Sequence, residues 1–357
     1  MKFVVNDIAA TPDAGGVYSI LEDFYNEVVK NDRKNKWIFL LSGKYFKESN
    51  NVKIIVRADL KKSKVKKAIF ELLTGKIFVN KLKPDVYISL QNTITIGVKA
   101  NKEIVYLHQP IPFQNEKIFS LFKKNERSLF FYQRIVGGLI KYSLNRENPS
   151  VIVQTKWMEK AIREQTKVSH KNIYVAHPRV KINTGKQMRH DLNSSFFYPA
   201  SNYIYKNHKI IFSAIDLLRR DGITDFTVNF TLRKEQLPYS NNNINYLGHI
   251  KRKEVFRLYN TNCLIFPSYI ESFGLPLIEA ALTGDVILAS NTEFSRELLK
   301  NYSNVYFFNA FDAKELANLM KKVINREIVS NGRKLSLVDN GESLLTSVFN
   351  ILEENYE

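Results

Sequence analysis

The chain has 357 residues, 44% of them hydrophobic, enough to bury a large core and, at ~100–200 residues per domain, to form two domains rather than one. It contains no run of about 18 uncharged apolar residues, and the opening MKFVVNDIAA lacks the long apolar segment of a signal peptide, so a cytosolic protein is expected. The net charge of +18 is lopsided: residues 1–190 hold 35 Lys+Arg against 16 Asp+Glu, or +19, while residues 191–357 hold 18 against 19, or −1.

Such a split argues for two domains with different surfaces, the first of which faces something anionic. In the first half, KFVVN (2–6), WIFLLS (37–42), VKIIV (52–56), DVYISL (85–90), IVYLH (104–108) and VIVQT (151–155) read as strands separated by helix-length segments. Between them, residues 61–83 carry eight lysines and one acid, Glu71, with Val65, Ile69, Leu72 and Leu73 at helical spacing. Residues 117–142 combine Lys123, Lys124, Arg127, Arg134 and Lys141 with Phe119, Phe122, Phe130, Phe131 and Tyr132. The polar stretch 183–195, NTGKQMRHDLNSS, reads as a linker.

The second half repeats the rhythm with KIIFSA (209–214), INYLG (244–248), CLIFPS (263–268), VILAS (286–290) and VYFFN (305–309). Short, nearly continuous apolar strands suit parallel sheets covered on both faces, which predicts two doubly wound α/β domains, 1–190 and 191–335. The single cysteine, Cys263, lies inside an apolar strand and reads as a buried thiol, with neither a disulfide nor a cysteine metal cluster available to it. Leu344, Leu345, Val348, Phe349 and Leu352 form one apolar stripe on a final helix, 336–357, that has to pack on something and would cross back to the first domain.

The segment 267–290, PSYIESFGLPLIEAALTGDVILAS, concentrates the chemistry. Tyr269 to Leu275 reads as the loop at the carboxyl end of a strand, and Pro276 as the first residue of a helix running to Thr283 and Gly284. The amides of Phe273, Gly274 and Leu275 would then sit at a helix N-terminus, an anion site that the glycine lets a ligand approach. Ligands of open α/β sheets bind beyond the carboxyl ends of the strands. Glu279 would accept two hydrogen bonds from a ribose diol, and Glu271, on the loop, one from a sugar hydroxyl. A charged helix start and a solvated acid is the competing reading of two glutamates taken alone.

The arrangement Glu271-Ser272-Phe273-Gly274-Leu275-Pro276-Leu277-Ile278-Glu279, followed by two alanines and Gly284, resembles the E-x7-E segment of retaining glycosyltransferases of family 4, in the bacterial capsule and O-antigen branch. That resemblance implies the GT-B fold, two Rossmann-like domains facing a central cleft, with the first glutamate near the donor sugar and the second on the nucleotide ribose. It extends to Ala14-Gly15-Gly16-Val17, similar to the family's glycine loop at the donor phosphates, and to Leu107-His108-Gln109-Pro110, similar to the segment whose histidine reaches the donor sugar. Gly248, His249 and Ile250 match the strand end whose backbone meets the nucleobase; residues 305–312 also match, as core and turn. Many members carry an Arg and a Lys after the first strand of the second domain; here Ala200 stands near the arginine's place and Lys206 remains. Ser272, Phe273, Gly274 and Leu275 complete the implied donor set. A Tyr-Pro-Ala segment such as 198–200 recurs in the capsule and O-antigen branch.

The implied reaction moves a sugar from a nucleotide-sugar donor to a lipid-linked saccharide during surface-polysaccharide assembly, with retention of configuration. Negative charge leaves on the diphosphate, so the catalytic group would be Glu271, His108 and Lys206. No Asp-x-Asp motif is present, and no metal or other cofactor is expected. The basic segments, with Lys61, Lys62, Lys64, Lys66, Lys67, Lys123 and Lys124 outward, would seat the protein on the inner face of the anionic cell membrane. Each is also compatible with a solvated helix over a core stripe, and a nucleic-acid partner is disfavoured because no nucleic-acid motif accompanies the charge. The alternatives are a sugar-nucleotide epimerase, a soluble-acceptor transferase, or an inactive binding or scaffold protein.

Overall fold

The structure, a computed structural model, describes residues 1–14, 16–180, 194–237, 239–336 and 341–354. It divides into two compact units, one formed by Met1–Arg179 with Gly341–Glu357 and the other by Val180–Asn340. Among the described residues, thirteen strands form two sheets, and every strand pair is parallel.

The first sheet contains β1 (Lys2–Asp7), β2 (Lys36–Leu41), β3 (Val52–Val56), β4 (Val86–Ser89), β5 (Lys102–Leu107), β6 (Ser150–Val153) and β7 (Ile173–Val175). Their spatial order is β3-β2-β1-β4-β5-β6-β7. The second contains β8 (Ser195–Tyr198), β9 (Thr227–Phe230), β10 (Ile244–Tyr246), β11 (Cys263–Phe266), β12 (Ile287–Ser290) and β13 (Val305–Phe308), in the order β10-β9-β8-β11-β12-β13. Each sheet therefore grows outward in one direction for three strands and then reverses. The reversal leaves a switch point between β1 and β4 in one unit and between β8 and β11 in the other, where the loops at the strand carboxyl ends diverge and leave a crevice.

Strands with both faces covered explain the runs: every residue of β4, β6, β11 and β12 is buried, Cys263 among them. The stretch 209–214 departs from its reading as a strand. It lies in the helix His208–Arg220, whose Ile210, Ile211, Ala214, Ile215 and Leu218 form one buried stripe. Two adjacent isoleucines and a phenylalanine look β-like in a short window, but the apolar spacing over thirteen residues is helical. The first strand of that unit is instead Ser195–Tyr198, four residues long; β7 and β9, also short, were not anticipated. Of the expected linker, 183–193 lies outside the described residues, and Ser195 already belongs to β8.

The core of the first unit contains aromatic residues from several elements. Phe3 stacks on Trp37 with ring centroids 4.1 Å apart, and Phe24 from the helix Gly16–Asn31 meets Trp37 edge-on at 5.8 Å. The final helix, Leu344–Glu353, joins this core through Leu345, Val348, Ile351 and Leu352, and Phe349 meets Phe3 edge-on. Ser343 caps it by accepting from the Thr346 amide at 3.1 Å. Just before it, Gly341 has φ +73°, and a Cβ there would lie 2.5 Å from the His177 carbonyl oxygen, so only glycine lets the chain re-enter the unit at this point. Ile351 is 1% exposed, and Ile351→Ala is expected to destabilise the first unit by ~2–5 kcal/mol, measured as a lower denaturant midpoint of the transition that reports that unit.

Candidate active site

The strand order of the second sheet brings the loops after β8 and β11 to the same switch point. The loop after β8 is closed on itself by Tyr198, whose hydroxyl donates to the Lys206 carbonyl at 2.8 Å. It is joined to the loop after β11 through the Tyr205 carbonyl, which accepts from the Tyr269 amide at 3.1 Å and from Ser268 Oγ at 3.3 Å. Asn207, in a left-handed conformation, donates to the carbonyls of Pro267 at 3.3 Å and Ala310 at 2.6 Å. These bonds place Lys206 against Glu271, and Lys206 Nζ donates to Glu271 Oε1. Both side chains are mostly buried, an environment in which either partner alone would be costly.

The helix Leu275–Ala281 begins one residue earlier than the proline rule suggests, because Gly274 supplies the cap and Pro276 follows as the second helical residue. Gly274 has φ +92°, and a Cβ would meet only ordinary contacts, the nearest Leu277 Cδ1 at 3.4 Å. The backbone angle, rather than lack of room, is what this position requires of glycine. The helix ends at Ala281, and Thr283 Oγ1 donates back to the Ala280 carbonyl at 2.6 Å. Ser272 and Pro276 are half-buried, Phe273 is buried and Leu275 is exposed.

Glu279 points into the unit and is 3% exposed. Arg252 Nη2 lies 2.5 Å from its Oε1, and the Tyr259 hydroxyl donates to its Oε2 at 3.1 Å. Burial raises the carboxyl pKa, while Arg252 and Tyr259 oppose the rise. Neither partner was singled out from the sequence: Arg252 sits in a Lys-Arg-Lys run that looks like a solvated face, and Tyr259 looks like core. Their seven-residue separation, two helical turns in the helix Arg252–Tyr259 that precedes β11, is the signal that would have paired them. At the end of β10, Gly248 is buried with φ +67° and donates to the Leu232 carbonyl at 3.1 Å, His249 is exposed and Ile250 half-buried.

In the first unit, Gly15 lies outside the described residues and Gly16 opens the helix Gly16–Asn31 after β1. His108 follows β5. Its amide and that of Gln109 both donate to Asn92 Oδ1, at 2.8 and 2.9 Å, so Asn92, left-handed at φ +66°, sets the loop. Burial lowers the His108 pKa to about 4 against a ring hydrogen bond to the Tyr106 backbone, which leaves the imidazole neutral at pH 7.

Of the basic residues expected on the surface, Lys61, Lys62, Lys64, Lys66, Lys123 and Lys124 are exposed. Lys67 departs from the outward placement expected of it: it turns inward beside Glu71 and Asp7, and burial lowers its pKa. Glu71, the lone acid of that segment, is buried and accepts from Thr95 at 2.6 Å and from Asn6 at 3.2 Å. The apolar stripe expected to be core also faces outward in part. Val65, Ile69, Leu73 and Ile77 recur every four residues and all are exposed, and in the second segment Phe122 is 90% exposed, with Ile118, Phe131 and Ile135 also outward. Each segment contains a π-helical turn, Phe70–Thr74 and Tyr132–Val136. Among the described residues, no helix is long and apolar enough to cross a membrane, and no group of three His, Cys, Asp or Glu side chains is placed to hold a metal ion.

Residues 195–336, the second sheet with its two loops, match the family model of glycosyl transferases group 1. Among solved structures, HepE from Anabaena, crystallised with UDP, is similar over 92% of this chain and 91% of that one, with a TM-score of 0.61 and 16% identity. The fold is GT-B. WaaG, a glycosyltransferase involved in lipopolysaccharide biosynthesis, is similar over 91% of each chain with a TM-score of 0.62 and 10% identity. TarM reaches a TM-score of 0.50 at 16% identity, over 71% of this chain, which spans about half (51%) of TarM's length. At these identities the shared property is the fold, and function has to be argued from the site. No curated protein matches the sequence.

Because its φ is the constraint, Gly274→Ala is expected to destabilise the second unit by ~1–2 kcal/mol, the cost of a left-handed residue, without the larger loss a steric clash would bring. Denaturant melting of the variant checks it.

Proposed function

We propose that the protein is a retaining, metal-independent glycosyltransferase that moves a sugar from a nucleotide-sugar donor to a lipid-linked saccharide in capsule or O-antigen assembly. The observation that carries the reading is the meeting of Lys206 and Glu271 at the switch point of the sheet, inside the segment that matches the glycosyl transferases group 1 model. Glycosyl transfer breaks the bond between the sugar's anomeric carbon and a phosphate oxygen and forms one to an acceptor hydroxyl oxygen. The diphosphate leaves with negative charge, which Lys206 stabilises, and the acceptor proton passes to the leaving phosphate in a same-face attack. Glu271 accepts from the donor sugar, and Glu279 from the ribose diol. Gly248, His249 and Ile250 serve the base, and the 272–275 backbone and the loop at Gly15 and Gly16 serve the donor. His108, neutral, donates to or accepts from the sugar, following the family resemblance.

That HepE was crystallised with UDP supports a nucleotide donor, and WaaG's part in lipopolysaccharide biosynthesis supports a lipid-linked acceptor. The exposed apolar stripe 65–77 and Phe122, each among exposed lysines, support docking on the inner face of an anionic membrane, where apolar side chains enter the headgroup region and lysines meet the lipid charge.

Incubation with a panel of nucleotide sugars, with and without membrane extract and in the presence of chelator, tests the reaction: free nucleotide is expected only with lipid acceptor, and chelator should not abolish it. Glu279→Ala should weaken binding of the free nucleoside diphosphate by ~1.5–3 kcal/mol, the worth of a hydrogen bond to a charged group. Glu271→Ala and His108→Ala should lower turnover more than nucleotide affinity. Equal losses in both quantities refute a sugar-side role.

Replacing Lys61, Lys62, Lys64 and Lys66 with glutamine should release the protein from anionic vesicles while preserving nucleotide affinity, because each lysine at the surface contributes ~1 kcal/mol within a Debye length. Co-sedimentation equal to that of the parent would return the segment to an ordinary solvated face.

A further inference from the structure

Glu279, the fifth residue of the helix Leu275–Ala281, is almost fully enclosed, and both of its bonds come from a single neighbouring element. From the helix Arg252–Tyr259, Arg252 reaches Oε1 and Tyr259 reaches Oε2. An ionised carboxylate offers about four acceptor positions, two on each oxygen. One position on each oxygen is taken, so one on each remains, and two neighbouring acceptors are what the two hydroxyls of a vicinal diol match. The geometry points to Arg252 and Tyr259 as positioning residues for nucleotide binding: they hold Glu279 turned so that each carboxylate oxygen keeps one acceptor position for a ribose hydroxyl. This rests on the ribose role proposed for Glu279.

An ordinary surface ion pair would contribute little. This pair is asymmetric: the Arg252 side chain is 56% exposed and that of Glu279 only 4%, so the buried partner depends on the exposed one for its charge. Desolvation favours the neutral carboxyl, and the groups that act against it are Arg252, through charge and hydrogen bond, and Tyr259, through its hydroxyl. Tyr259 is itself pushed well above its ordinary pKa by the same burial and remains a donor throughout the neutral range. Without Arg252 the carboxyl takes up a proton at higher pH. The protonated oxygen is then a donor, and the group no longer accepts from both hydroxyls.

Calorimetric titration of the full chain with UDP and with GDP, at pH 8, 7 and 6, tests this. The nucleotide's own phosphate titrates in that range, so the quantity to read is the ratio of variant to wild-type affinity at each pH. For Arg252→Gln the ratio is expected to fall severalfold from pH 8 to pH 6, because the variant's carboxyl takes up its proton at a higher pH than the wild-type carboxyl does. Arg252→Lys should restore a flat ratio, and adding Glu279→Gln to Arg252→Gln should abolish the pH dependence by removing the titrating group. Tyr259→Phe, which keeps the ring, should show the same trend more weakly and serves if Arg252→Gln fails to fold. A ratio constant with pH in both Arg252→Gln and Tyr259→Phe overturns the positioning role and leaves the ribose role standing. Wild-type affinity in Glu279→Gln, or binding of neither nucleotide, overturns the ribose role and this inference with it.

Discussion

The constraint on which the rest depends is the reversal of strand order in each sheet. A right-handed crossover carries the chain to one side of its first strand, and the order β3-β2-β1 and β10-β9-β8 shows two such steps in the same direction. The chain then returns to the opposite side of the first strand, so the loops after β1 and β4, and after β8 and β11, leave the sheet in diverging directions. Polar side chains gather there because backbone at a switch point cannot be covered by a crossing helix. Asn6, Asp7 and Asn92 in one unit, and Lys206 and Glu271 in the other, occupy equivalent places for this reason.

Charge burial follows from that crowding. Buried carboxylates lose water, and three of them find close partners. Glu271 takes Lys206, Glu279 takes Arg252 and Tyr259, and Glu71 takes a set of neutral donors with Lys67 nearby. The outcomes differ with the partner. A half-exposed arginine leaves the Glu279 carboxyl raised only against opposition, whereas Asp7, on which Lys67 and Lys61 act through charge alone, is pushed by burial up to about 7. Such groups are poor contributors to stability and are characteristic of sites where a ligand completes the polar set.

The basic segments of the first unit obey a different rule. In 64–81 one face carries Lys67 and Glu71 inward to the strand ends, while Val65, Ile69, Leu73 and Ile77 face out. The π-helical turn at Phe70–Thr74 adds a residue to the turn and helps keep a four-residue apolar spacing in line along the outer side, which an unbroken 3.6-residue helix would rotate away. The outer side of the segment therefore carries exposed apolar residues among exposed lysines, while Glu71 is buried on the inner side with Phe70 and Val79.

Alternating apolar runs were enough to determine the class, two parallel α/β units, and the Glu271–Glu279 segment carried its own chemistry, because strand burial and helix punctuation are local properties. The sequence alone misassigned 209–214, where isoleucines satisfy either period over six residues, and passed over β7, β8 and β9. Tertiary structure decided the rest: that Lys206, 65 positions away, is the partner of Glu271, that Arg252 and not a solvent face receives Glu279, and that Lys67 and Val65 exchange the sides expected of them. Residue type gives a side chain its need for a partner or for burial, but which partner it meets depends on strand order, and strand order is set by contacts between segments far apart in the chain.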